Sequence, residues 1–292
     1  MGMASEARGL PLWMGPRRAT LVSIALACLL GAWWVQLDPG LLFGQAQWHQ
    51  LAGFFKAALT PALAYEDVNP ATEGQFLPEI LRALWTTVLY ASAAIGLSLI
   101  GGLLFGLAGS CRTWFALGSP IKPLRWLLSG GFFLVRAVMT VLRSVHEIIW
   151  AFLFLQALGA VPLAAVFAIA IPYSATLGKV FSELIDEAPT ATAESLRDNG
   201  ASVFQVYAFG LLPSVFPDLL AYLLYRFECG LRSAAVLGFF GSPTLGYYLK
   251  ISWGERHFHE VWAYLYALFA LIIVFDLWSG RVRQRLNTRL GS

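Results

Sequence analysis

The residues of this chain with the most chemistry to offer are charged side chains set inside otherwise apolar segments. Arg136, Thr140, Arg143 and Glu147 fall at i, i+4, i+7 and i+11. On one continuous helix that spacing makes a single stripe about 16 Å long. Asp218, Tyr222, Tyr225, Cys229 and Arg232 repeat the pattern, and Glu228 can pair with Arg232 at i, i+4. A charge at the centre of a bilayer costs about 2.5–3.5 kcal/mol on insertion scales, so such residues face a bundle interior or a water-filled cavity. Two polar stripes on different helices therefore outline an aqueous path. The first stripe carries one surplus positive charge, and Arg recognises oxyanions with a bidentate fork. Doubled around a two-fold axis, that surplus would bias a pore toward anions. A second reading stays open for Glu228 and Arg232, which can pair with each other and pin helix packing.

Other chemistries find less support. His49, His146, His257 and His259 are the only histidines, and His257, His259 and Glu260 form the one cluster suggesting a metal site. Two His at i, i+2 point to different faces of a helix, and beside Trp253 and Trp262 they read as interfacial residues. Neither a G-x-S-x-G elbow nor an H-E-x-x-H pair occurs. No catalytic residue and no metal ligand is therefore assigned, and a membrane-embedded enzyme acting on a lipid is the competing class. Gly178-Lys179 resembles a phosphate-binding loop only superficially: Tyr173 occupies the place of its first Gly and Val180 that of its Ser/Thr. Nucleotide hydrolysis belongs to another chain. Cys28, Cys111 and Cys229 are widely spaced and read as small packing residues.

The elements that must position these side chains follow from composition. Of 292 residues 58% are hydrophobic and 13% charged, with mean hydropathy +0.65; soluble domains sit near 45–50% and about 25%. The chain reads as an all-α, polytopic membrane protein. A net charge of +3 without a basic run excludes nucleic acid as a partner. Spans of about 20 apolar residues are expected near 19–37, 80–109, 124–158, 160–182, 206–237 and 257–279. The first follows Arg17 and Arg18 and continues through Trp33 and Trp34 without a small-x-small site, which favours an uncleaved anchor.

Charge then orients the spans. Arg8, Arg17 and Arg18 precede the first; Arg112, Lys122 and Arg125 lie between the second and third; Arg281, Arg283, Arg285 and Arg289 close the chain. Asp38, Glu66, Asp67, Glu73 and Glu79 face a single Lys56 between the first two. The positive-inside rule puts both termini in the cytoplasm and the acidic loop outside. The expected organisation is a cytoplasmic tail over 1–18, a first transmembrane helix over 19–37, an extracytoplasmic loop over 38–79, a transmembrane domain over 80–280 and a basic tail over 281–292. In the loop, Trp48, Leu51, Phe54 and Phe55 are spaced for an amphipathic interfacial helix.

One cytoplasmic connection is polar without being basic, the stretch ESLRDNGASVFQVYAFGLLP from Glu194 to Pro213. Pro189 suits the first turn of a short helix, and Asn199-Gly200 stops it because Gly accepts a left-handed backbone. Ser202 and Gln205 form a capping box that opens a second helix at once. Gly210, Pro213 and Pro217 are expected to bend or interrupt that helix, since each Pro removes a backbone hydrogen bond. A short helix across a membrane mouth, joined by a tight turn to a span, offers a partner something to grip.

Glu194, Gly200 six positions later, and Leu212-Pro213 resemble the EAA loop of permease subunits of binding-protein-dependent ABC importers. Ser195 and Leu196 stand where that family usually has Ala-Ala, and Gly210 where it has a branched apolar residue. RSVHEIIWAFLFLQALG from Arg143 and YRFECGLRSAAVLGFFG from Tyr225 are similar to stretches of phosphonate transporter permeases. There Arg143, Glu147, Trp150, Phe227, Glu228 and Arg232 fit, while His146 replaces a usual Pro and Gly230 a usual Asn. The Gly-rich ending is changed as well, to Gly241-Ser242-Pro243-Thr244-Leu245-Gly246.

The resemblance implies a type I ABC importer permease fold with about six transmembrane helices and a coupling loop over 186–205. Within it Glu194, Ser195, Leu196, Gly200, Ala201, Leu212 and Pro213 would couple to the ATPase. Implied partners are a second permease copy, two cytoplasmic ATPase subunits that bind the ATP and Mg, and an extracytoplasmic binding protein delivering a phosphonate-like oxyanion. The chain itself would need no cofactor. Candidate pathway residues are Arg136, Thr140, Arg143, Glu147, Tyr222, Glu228 and Arg232; a different small solute is the alternative cargo.

Overall fold

The computed structural model describes residues 16–36, 40, 44–67, 74–112, 122–189 and 191–290. Arg8, Asp38 and Glu73, used above for orientation, lie outside the described residues, as do the side chains of Arg17, Lys122, Arg125 and Arg289. Among the described residues all regular structure is helical: α1 Pro16–Trp34, α2 Gln45–Ala58, α3 Phe76–Gly109, α4 Lys122–Ser144, α5 Glu147–Leu158, α6 Pro162–Glu187, α7 Ala191–Asp198, α8 Leu212–Leu237, α9 Leu245–Glu255 and α10 Phe258–Leu290. A helical lead-in, Val203–Gln205 and then a wide π turn over Val206–Leu211, runs into α8.

The chain divides into two units, Met1–Lys56 and Ala57–Ser292. The first carries α1, a short apolar helix over Arg18–Trp34, and most of α2, on which Trp48, Leu51 and Phe55 are exposed. In the second, four helices are long and apolar enough to cross a membrane: Phe76–Gly109, Pro162–Glu187, Val206–Phe240 and Phe258–Arg285.

The segment expected as one span over 124–158 is not straight. Leu128–Ser144 and Glu147–Leu158 meet at 88°. The cause is local: His146 takes an extended backbone (φ −65°, ψ 145°) and caps α5, its Nδ1 accepting from Ile148 N at 3.3 Å. Trp150 Nε1 donates to Leu142 O at 3.3 Å, satisfying a carbonyl that the ending helix leaves open. Pro217 does not interrupt its helix, since α8 continues through it.

Small residues decide which spans meet. A Cβ on Gly102 would lie 2.6 Å from Leu177 Cβ, and one on Gly106 would lie 2.8 Å from Phe181 Cβ. These two glycines, one helical turn apart, let α3 lie directly against α6, the close approach that small residues give membrane helices. Around this seam Ala91, Ile95, Ala168, Tyr173, Leu231 and Leu237 form one buried cluster. Phe181, Ile185, Ala193, Leu211 and Val215 form a second, nearer the end where α3 and α6 finish. A third, with Phe76, Ile80, Leu245 and Tyr264, closes the opposite end. Large apolar residues such as Leu81, Trp85, Ile100, Leu104, Ile273 and Val274 stay exposed on the outside, as lipid-facing residues do.

Candidate functional site

At the Gly109 end of the bundle, the short helix α7 is ended by contacts built from its own sequence, while Pro189, expected in its first turn, lies two residues before its start at Ala191. Gly200 takes φ +80°, Ala201 N donates to Leu196 O at 3.0 Å and Gly200 N to Arg197 O at 2.9 Å. That pair of bonds is a Schellman motif, closing carbonyls the helix leaves open. The capping box follows: Ser202 N donates to Gln205 Oε1 at 2.8 Å, and Gln205 N to Ser202 Oγ at 3.4 Å. Ala193 is buried while Glu194, Ser195 and Arg197 are exposed. Glu194 has no hydrogen-bond or ion-pair partner among the described residues. Phe204 and Phe209, on the lead-in to α8, are 78% and 69% exposed.

Two features of the joint sharpen the expectation. Gly210, where a branched residue is usual, is buried; a Cβ there would lie 3.2 Å from Leu196 Cδ1 and 3.5 Å from Ala193 Cα. Its lack of a side chain is what lets α7 lie on the lead-in of α8. Before Pro213 the α-helical pattern is interrupted, as expected, but by a π turn and not by a full break. The turn before it widens, with Leu212 N donating to Tyr207 O five residues back. That π turn absorbs the carbonyl which a proline ring would otherwise crowd.

The root of the joint is Asp186, which sequence reading missed. Its carboxylate accepts from Ser110 Oγ at 2.6 Å, Cys111 N at 3.1 Å and Arg112 N at 3.3 Å. Arg136 Nη2 lies 3.7 Å away and also donates to Gly109 O at 3.1 Å. One side chain thus ties the ends of α3 and α6 to α4. Burial, and next the Asp186 carboxylate, push the Cys111 thiol above its ordinary value. Arg112 Nη2 donates to Ala188 O at 2.7 Å.

The polar stripe of Arg136, Thr140, Arg143 and Glu147 is not one stripe. The break at Val145 and His146 removes Glu147 to a different helix. Arg136 belongs to the Asp186 joint, Thr140 donates only to Arg136 O at 2.8 Å, and Arg143 is exposed. Glu147 instead accepts from Ser233 Oγ on α8 at 2.8 Å. Ser233 Oγ lies 3.0 Å from Tyr173 Oη of α6. Glu228 and Arg232 pair at 2.7 Å, as their spacing predicts. Between these groups sits a second residue that sequence reading passed over, Arg226. Its guanidinium lies over the rings of Tyr173 and Tyr222, 5.1 and 5.7 Å from their centroids, and its Nε donates to Tyr222 Oη at 3.2 Å. The i, i+4 spacing from Tyr222 was a signal for it.

At the Phe76 end, the segment Ala57–Asp67 folds onto the start of α10. His259 Nδ1 lies 2.7 Å from Thr60 O, His259 N donates to Glu66 Oε1 at 2.9 Å, and Glu66 N to Glu260 Oε1 at 2.7 Å. A cavity of about 260 Å³ here is lined by Asp67, Glu79, Tyr248, Glu255, Glu260 and Tyr264, among others. Glu79 accepts from Tyr65 Oη at 2.5 Å and Glu260 from Ser252 Oγ at 2.7 Å. Burial first, and then Glu79, hold the Tyr65 phenol well above its ordinary value. His257 lies 3.5 Å from Glu255 and 3.6 Å from Glu260. Among the described residues no group of His, Cys, Asp or Glu could hold a metal ion; these histidines tie loop to helix.

Comparison with known proteins matches residues 115–290 to the family described as binding-protein-dependent transport system inner membrane component. A putative phosphite transport system permease protein, HtxE, of Stutzerimonas stutzeri is 30% identical over 185 residues, 61% of this chain and 69% of that protein. The phosphite transport system permease protein PtxC of the same organism is 32% identical over 156 residues, 53% of this chain and 57% of that one. In fold, the chain resembles the MetNI methionine ABC transporter in an inward-facing conformation, with a TM-score of 0.60 and 18% identity over 73% of this chain and 99% of that one.

Proposed function

This chain belongs to the family of binding-protein-dependent transport system inner membrane components, and on that premise we propose that it is the membrane permease of an ABC importer for a phosphite- or phosphonate-like oxyanion. It is a multi-pass inner membrane protein of the type I permease fold, a transport subunit and not an enzyme. The similarity to two phosphite permeases supports the cargo class. ATP and Mg would be bound by two partner ATPase subunits, and the oxyanion delivered by an extracytoplasmic binding protein. A second copy of this chain would complete the pore, with both termini and the Gly109 end in the cytoplasm.

The observation that carries the mechanism is the joint around α7. A helix of eight residues, closed by a left-handed Gly and handed on by a capping box to a membrane span, presents Glu194, Ser195 and Arg197 outward and packs Ala193 inward. Glu194, Ser195 and Leu196 would sit in an ATPase groove, with Gly200 and Ala201 setting the exit angle. Leu212 and Pro213, beyond the π turn, would transmit the movement. ATP-driven closure draws two such helices together, and the span hinged at Val206–Leu211 swings to expose the path on the other side. Tyr222, Glu147, Glu228 and Arg232 would line that path, with Thr140 and Arg143 nearer its mouth and Arg136 anchoring the joint.

Glu194→Lys and Gly200→Pro test the assignment in vesicles holding the complete transporter. Both should uncouple uptake from ATP hydrolysis by 10-fold or more. Unaltered substrate-stimulated hydrolysis and uptake in both variants would sink the coupling role.

A further inference from the structure

Arg226 stands near the midpoint of Val206–Phe240, where a bilayer has least to offer a cation. Three other cations of the bundle have carboxylates: Arg232 has Glu228, Arg136 has Asp186 and Lys179 has Glu183. Among the described residues no carboxylate lies within ion-pair distance of Arg226. Glu147, the acid of the same network, spends an oxygen on Ser233 Oγ, and Ser233 in turn meets Tyr173 Oη. That relay holds the Tyr173 ring under the guanidinium without bringing the negative charge to it.

An arginine has five N–H donors in a rigid fork, and among the described residues only Nε has a hydrogen-bond partner, Tyr222 Oη at 3.2 Å. The two aromatic faces offset some of the mid-membrane cost of the charge but give the terminal N–H groups no acceptor. The side chain is only half-buried, so its outer edge, the two terminal NH2 groups, can be reached. A planar fork clamped on one side by two tyrosines and open on the other suits a tetrahedral oxyanion held bidentately.

We infer that Arg226, clamped by Tyr173 and Tyr222, is the oxyanion-binding and selectivity residue of the translocation path. The inference rests on the oxyanion-permease reading and gives it a site on this chain. In a two-fold pair each copy contributes one such fork, so the path carries two fixed positive charges. Glu228 and Arg232, neutralised by each other, shape the wall without adding to that charge.

The test uses the complete transporter in vesicles, with phosphite and methylphosphonate as probes and three forms of the permease: unaltered, Arg226→Gln and Arg226→Lys. The unaltered transporter takes up at least one probe. Arg226→Gln should lower uptake 10-fold or more, chiefly by raising KM, while the assembly and its basal ATP hydrolysis persist. Arg226→Lys, which keeps the charge and loses the fork, should fall between. Uptake by Arg226→Gln within two-fold of the unaltered form would overturn the site while leaving the permease reading intact. So would failure of Arg226→Gln to assemble while Arg226→Lys assembles and transports at the unaltered KM, because Arg226 would then be an assembly contact. If the unaltered transporter moves neither probe, the oxyanion reading itself falls.

Discussion

The two ends of the bundle solve the same problem with different kinds of contact. At the Gly109 end, the joint from Asp186 to Pro213 is mostly made by residues close in sequence: a Schellman turn at Gly200, a capping box at Ser202 and Gln205, and a π turn before Pro213. At the Phe76 end, the closure joins residues about 190 positions apart, such as Glu66 with His259 and Glu260. Local punctuation leaves a hinge free to move as a unit once its root at Asp186 is held. Long-range cross-links make a cap whose parts lose their register together. On the proposed mechanism, the Gly109 end is the one that moves and the Phe76 end the one that holds.

That contrast can be broken most severely at Gly246. Its Cβ position falls against Ala235 O, a backbone atom that cannot step aside. Gly246→Ala should remove most folded protein from the membrane fraction, read by solubilised yield and by loss of a single thermal transition. If Gly246→Ala instead yields normally, the cap is softer than its contacts imply. Asp186→Asn comes next. Removing the charge from a site with three donors and a neighbouring Arg136 should cost about 3 kcal/mol. It should also lower coupled uptake more than Tm, since the joint loses its root while the cap stays intact; a fall in Tm alone would count against a mechanical role. Glu260→Gln is the mildest. The amide oxygen can keep Glu66 N, and the amide NH2 can donate to Ser252 Oγ, which accepts as well as donates; what is lost is the charge assistance, about 1 kcal/mol. It should lower Tm and leave uptake per folded transporter unchanged.

How much of this could be read in advance tracks sequence separation. Helix boundaries around α7 were legible because Gly, Ser, Gln and Asn act on a backbone within a few residues of themselves. Four of the six expected spans were legible because about 20 apolar residues in a row have one stable environment, whereas 124–158 breaks at His146 and the first helix, over Arg18–Trp34, is shorter than a span. The stripe through Arg136, Arg143 and Glu147 was misread because its periodicity assumed an unbroken helix. His146 turns the chain by 88° through a cap that a single residue supplies. Gly210 looked like a departure from a pattern; the seat it makes for Ala193 and Leu196 belongs to a different helix.

The amino-acid sequence by itself determined that this protein lives in a membrane, where its polar joint lies, and which residues end the short helix there and open the next turn. Hydropathy and capping are properties of neighbouring residues, so they need no fold to act. The tertiary structure alone decided that Asp186 roots the joint and that Arg136 belongs to it. It also decided that Glu147 faces Ser233, and that Arg226 lies over two tyrosine rings with no carboxylate in ion-pair reach among the described residues. Those outcomes depend on which helix faces lie within about 4 Å of each other. That choice is made by small residues along the α3 and α6 seam, acting across some 70 positions of chain.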